Sequence, residues 1–109
     1  MEISKIIELE KSNDGFIYFF ANSEYEFVAY EFSAFIASEI FHSINLERDY
    51  SIQNGKAIFS ARIFPEIIRN HFSGPNTSVG NDYVQVSLSD SFKEKLPDWI
   101  KQFEKLKCN

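Results

Sequence analysis

The chain has 109 residues, is 44% hydrophobic and 25% charged, and carries a net charge of -5 at pH 7. That length suits one domain able to bury a core without metal or disulfides, and only four glycines and three prolines argue against disorder or low complexity. Cys108 is the only cysteine, which excludes an intrachain disulfide and points to a reducing, cytoplasmic setting.

The amino-terminal MEISKIIELEK lacks the basic region followed by an uninterrupted apolar run that a secretory signal needs. The most apolar stretch, Gly15 to Ile44, is broken by Asn22, Glu24, Glu26, Glu31 and Glu39, so no conventional membrane-spanning helix is expected.

In chain order, Ile3 to Glu10 fits two periods, with Ile7 and Leu9 alternating and Ile3, Ile6 and Ile7 compatible with one helical face. A strand is expected, because Ser12-Asn13-Asp14-Gly15 offers a turn and the β-favouring run Phe16 to Phe20 follows, which together make a hairpin. From Ser23 to Ile44, Val28, Phe32, Phe35, Ile36 and Ile40 fall at helical spacing, with Ser23 and Glu26 placed as a capping box. One long helix is expected there. The competing reading is a strand from Tyr25 to Phe32, given its β-formers, followed by a helix capped at Ser33.

Tyr50 to Gln53, then Asn54-Gly55, then Lys56 to Ile63 reads as a hairpin, since Asn-Gly is the preferred dipeptide of a two-residue turn. Pro65 opens a short helix to about Phe72 with Ile67, Ile68 and Phe72 on its apolar face. Ser73 to Asp82 is loop-like, either a functional loop or a plain connector. Tyr83 to Leu88 alternates as a strand, and from Ser91 onward Phe92, Leu96, Trp99, Ile100, Phe103 and Leu106 keep helical spacing, with Pro97 starting the second of two segments. The expected fold is therefore α+β, a single domain with an antiparallel sheet of hairpins packed against helices.

Charge is unevenly placed. Residues 1–50 hold ten acids against Lys5, Lys11 and Arg48, a sum of -7, whereas residues 51–109 hold six acids against eight bases, a sum of +2. Ser12 to Glu47 runs 36 residues without lysine or arginine while carrying six acids and ten aromatic rings. Such a half is a poor match for nucleic acid, whose phosphates need clustered bases; a cationic protein suits it better. Lys56, Arg62 and Arg69 do flank Phe59, Phe64 and Phe72, but three bases beside three rings fit amphipathic packing better than an RNA or DNA site.

No motif carries catalysis. His42 and His71 lie in no HxxxH, HxH or CxxC pattern, there is no GxSxG elbow, Cys108 is next to the last residue, and Gly74 and Gly80 lack the glycine spacing and lysine of a phosphate loop. No catalytic residue, metal ligand or cofactor is nominated.

Carboxylates interleaved with rings suit docking on a basic surface, because rings give rigid contact area and carboxylates give attraction and orientation. Most of the phenylalanines belong in a core, which leaves the tyrosines as interface candidates. The nominated partner-binding residues are Glu24, Tyr25, Glu26, Tyr30 and Glu31, with Asp14 and Glu39 beside them.

In its size, acidity, single cysteine and the stretch SEYEFVAYEF, the chain resembles bacterial toxin-immunity proteins of contact-dependent growth inhibition and colicin-type systems. The resemblance implies a cytoplasmic protein, not an enzyme, that binds the toxic domain of a cognate effector, often a basic nuclease, and blocks its active or substrate-binding surface. Two other classes stay open: a homo-oligomeric adaptor using the same rings, and a small enzyme joining distant polar groups such as His42, His71 and Glu66 in a pocket.

Overall fold

The computed structural model describes residues 3–11, 15–23, 26–53, 56–71, 77–79 and 82–108. In chain order, α1 (Ile3–Lys11) is followed by β1 (Phe16–Ser23), β2 (Glu26–Tyr30), α2 (Glu31–Ile40), β3 (Glu47–Gln53) and β4 (Lys56–Ile63). Then come α3 (Pro65–His71), β5 (Thr77–Val79), β6 (Tyr83–Ser87), α4 (Asp90–Lys93) and α5 (Leu96–Cys108). The six strands form one sheet in the order β3-β4-β2-β1-β6-β5, with every neighbouring pair antiparallel. The fold is α+β.

Strand alternation sorts the side chains onto two faces. Ile17 and Phe19 of β1, Ala29 of β2, Phe59, Ala61 and Ile63 of β4, and Val84 and Val86 of β6 point to one face. There they meet Phe32 to Ala37 of α2, Ile68 of α3, and Trp99 and Phe103 of α5. Phe103 is the hinge pin of this core, with its ring 5.6 Å from Phe32, 5.7 Å from Phe35 and 5.5 Å from Phe59. Every residue from Phe32 to Ala37 is buried, as expected of a helix apolar on nearly all sides. Outside the core, Arg48 of β3 anchors α5, since its Nη2 donates to the Leu106 carbonyl at 2.8 Å and its guanidinium lies 5.0 Å from the Phe59 ring centre.

The other face carries the remaining β1 side chains. Phe16, Tyr18 and Phe20 make a row of rings joined by Tyr30 of β2 and Tyr83 of β6, and α1 packs on it through Ile6 and Leu9.

Three expectations are corrected. Ile3 to Glu10 forms α1 and not a strand: the helical period wins because Ile6 and Glu10, one turn apart, are both buried. The proposed hairpin between this segment and Phe16 to Phe20 is therefore absent, and β1 pairs with β2 and β6 instead. The single helix from Ser23 to Ile44 is replaced by β2 and α2. In place of a Ser23 cap, Tyr30 holds the capping position in extended geometry without a side-chain cap bond, and Glu31 turns the chain at a left-handed φ of 52°. Glu26 lies on a strand, not in a capping box.

The second hairpin forms as expected, with Gln53 opposite Lys56, although its Asn54-Gly55 turn lies outside the described residues. The helix from Pro65, the strand from Tyr83 and the paired final helices also form, while part of the loop-like stretch, Thr77–Val79, is the edge strand β5.

Candidate functional site

The base-free segment supplies β1, β2 and α2, the two middle strands of the sheet and the helix laid against them. Of its nominated residues, Asp14, Glu24 and Tyr25 lie outside the described residues. The other four are divided by the fold. Glu26 and Tyr30 share a face of β2 with Val28, which is the aromatic-row side, whereas Glu31 and Glu39 stand at the two ends of α2 on the opposite side of the sheet.

Glu26 is half-buried and reaches Arg62 across the β2–β4 pair, with 3.9 Å between Oε1 and Nε. At that distance, and with the arginine exposed, the pair contributes little. Tyr30 is half-buried with its ring 6.2 Å from that of Phe20, so its body is packing and only its edge is open to a partner.

Glu31 is held in a backbone region that L-residues with a Cβ avoid. Its carboxyl is half-buried, and burial pushes its pKa above the ordinary value while the nearby Lys107 pulls it part of the way back. Lys107 itself sits over Phe103, with Nζ 5.3 Å from the ring centre.

Glu39 is exposed in the last turn of α2, a turn with no basic residue. The carbonyl end of a helix repels a carboxylate, so Glu39 works against its own helix.

The sequence reading missed a buried polar cluster. The Ser33 backbone N–H donates to Glu10 Oε1 at 2.7 Å, the Ser33 hydroxyl donates to Glu10 Oε2 at 2.7 Å, and the Tyr18 N–H donates to Ser33 Oγ at 3.0 Å. Each bond has a structural cause. Ser33 lies in the first turn of α2, where backbone N–H groups lack intrahelical partners, and Glu10 supplies an acceptor from another helix. Tyr18 lies past the last described β1–β2 pair, Phe20 with Val28, so Ser33 Oγ stands in for a missing ladder acceptor. Because Ser33 has no exposure and Glu10 only 7%, this cluster holds elements together and offers no nucleophile to a substrate. No sequence signal pairs residues 10 and 33; the nearest clue is the helical spacing of Ile6 and Glu10.

His42 is exposed in the α2–β3 connection, and the side chain of His71 lies outside the described residues. Among the described residues no three His, Cys, Asp or Glu side chains are grouped to hold a metal ion, and no helix is long and apolar enough to cross a membrane. Among the described residues two large apolar side chains stand out in water, Phe64 at 64% exposure and Ile100 at 49%.

No family model, curated protein or solved structure matches this chain. Its own geometry therefore carries the functional reading. What that geometry offers is contact: charge of one sign along β2 and α2, tyrosine edges on one sheet face, and a strained glutamate at the junction between them.

Proposed function

We propose that this chain is a cytoplasmic immunity-type protein that binds a basic toxin domain and neutralises it by covering its active or substrate-binding surface. One observation carries the reading: the segment without lysine or arginine builds the middle of the fold, so every charged side chain that β2 and α2 present is acidic. Glu39 sharpens it, because a carboxylate disfavoured by its own helix end is relieved by a cation from outside. A nuclease-like domain needs positive surface to hold phosphates, and an acidic chain meeting that surface associates fast and in a salt-sensitive way. Occlusion of this kind requires no catalysis.

A second reading, a homo-oligomeric adaptor, is favoured by the exposure of Phe64 and Ile100. Charge reversal separates the two. Glu26 lies on the face of the sheet opposite Glu31 and Glu39, so Glu31→Lys and Glu39→Lys test the α2 side and Glu26→Lys the other. Reversal on the docking side should weaken binding to a basic polypeptide recovered with the tagged chain, most at low salt; unchanged affinity in all three removes both sides from the interface, and self-association as the only binding detected favours the adaptor.

A further inference from the structure

We propose that Glu31 determines which partner this chain accepts, by receiving an arginine side chain of the basic toxin domain on the α2–α5 side of the sheet, where Lys107 takes the place of that arginine in the free protein. The inference rests on the reading above and adds to it a docking side, a contact and the chemistry of the group received.

Glu31 is disfavoured in two ways by the fold that holds it. Its backbone sits at a φ of 52°, where glycine would sit without strain. Its carboxyl is half-buried, and burial disfavours the charged form. Nothing nearby offsets this in full, because the carboxylate makes no hydrogen bond or ion pair with another described residue. A partly desolvated carboxylate whose acceptor sites are open gains more from a cation than one in bulk water. The other described candidates offer less: Glu26 already has Arg62 beside it, and Glu39 stands in water, where a new ion pair adds little.

The last turn of α5 shows what kind of group fits. It lies against the start of α2, with the Phe103 ring 5.6 Å from that of Phe32, the neighbour of Glu31. Lys107, one turn after Phe103, sets its Nζ 5.3 Å from the Phe103 ring centre and draws the Glu31 pKa downward. A cationic side chain thus already stands near the carboxylate without bonding to it. Lys107 is exposed, and its flexible stem lets the ammonium swing away when a partner arrives. Arginine is the better occupant, because a guanidinium is weakly hydrated and its planar fork meets both carboxylate oxygens at once, whereas an ammonium is a strongly hydrated point charge. A surface built to hold phosphates carries arginine for the same reason.

Binding of hexaarginine and hexalysine peptides to the full chain at low salt, followed by NMR of the glutamate carboxyl carbons, tests this. Glu31→Gln keeps the strained backbone and the side-chain length and removes the charge. Lys107→Met keeps a stem over Phe103 and removes the competing cation. Lys101→Met, at an exposed position in an earlier turn of the same helix, makes the same change of net charge elsewhere.

Hexaarginine should move the Glu31 signal most and bind more tightly than hexalysine. Its affinity should fall about 10-fold or more in Glu31→Gln, the loss expected for a charge-assisted contact. It should rise about 3- to 10-fold in Lys107→Met, the effect of one like charge removed at close range near water, and stay within about twofold in Lys101→Met. In the Glu31→Gln background, Lys107→Met should add nothing further. Trp99, the single tryptophan, is buried in the main core, so unchanged emission certifies that each variant is folded. No hexaarginine binding, an unchanged affinity in Glu31→Gln, or equal effects of Lys107→Met and Lys101→Met overturns the inference. The immunity reading fails separately, when no basic polypeptide is captured with the chain.

Discussion

Replacing Glu31 by glycine should stabilise the protein, against the usual rule for a helical position. A residue with a Cβ held at positive φ costs roughly 1–2 kcal/mol, and Glu31 sits at a φ of 52°. Glycine removes that cost but brings an unfolded chain with more freedom to lose, roughly 0.5–1 kcal/mol. The balance lies between about 0 and 1.5 kcal/mol of gain, centred on ~0.75 kcal/mol, or about 3–6 °C in Tm for a domain of this size.

Glu31→Ala is the control, since it deletes the side chain beyond Cβ and so keeps the strain. In an ordinary helix interior alanine is better than glycine by about 1 kcal/mol; here the order should invert. Urea denaturation of the two variants side by side reads the difference, and an alanine variant as stable as the glycine variant or more so would refute the backbone argument.

The same residue sets a pH signature. Burial raises the folded-state pKa of Glu31 above 4.5, so the folded protein binds its proton more tightly than the unfolded chain and stability falls as pH rises through that window. Glu31→Gln should then be at least as stable as the wild type at neutral pH, with the advantage fading as pH drops toward 4.5. A variant that gains stability and loses affinity for the partner would mark Glu31 as a residue kept for binding.

Phe103→Ala should cost about 3–5 kcal/mol, because three ring pairs and a buried side chain are lost together, and equilibrium unfolding will read it. Gly15→Ala should cost about 1–2 kcal/mol from its φ of 88° alone, since the added methyl would meet Lys93 Cε at an ordinary 3.5 Å; a neutral result in thermal melts would contradict this. Glu39→Lys should stabilise α2 by about 0.3–1 kcal/mol through the helix dipole while weakening partner binding, and a loss of stability would contradict the electrostatic reading. Tyr18 should ionise above the ordinary tyrosine range, raised by burial first and then by Glu10 and Tyr83. The unfolded chain gives up that proton at 10.0, so its contribution to stability is lost as pH rises past that point, which ultraviolet phenolate titration alongside alkaline unfolding will follow.

Local chemistry made much of this fold legible. Asn54-Gly55 between two β-rich runs, Pro65 before an apolar face, and the strict alternation of Tyr83 to Leu88 each report on their own neighbourhood, and all three flank elements that form. Where the reading failed, the deciding partner was far away in sequence. Phe27 to Tyr30 forms a strand because β1 and β4 lie on either side of it, while the spacing from Val28 to Ile40 mixes the end of that strand with the helix after it.

Ile3 to Glu10 is helical because Glu10 meets Ser33, 23 positions on. The acidic, aromatic character of the nominated segment was plain from composition; that β2 and α2 set Glu26 and Glu31 on opposite sides of the sheet depends on the left-handed turn at Glu31, which no residue type announces.

The most direct measurement is affinity capture of the tagged chain from its native cells, washed at low and then at high salt, with bound proteins identified by mass spectrometry and each recovered polypeptide expressed with and without this chain. Expected is one stoichiometric basic polypeptide, released by salt, that stops growth when expressed alone and is harmless when this chain is present. Recovery of the chain alone, or only with copies of itself, would contradict immunity by occlusion.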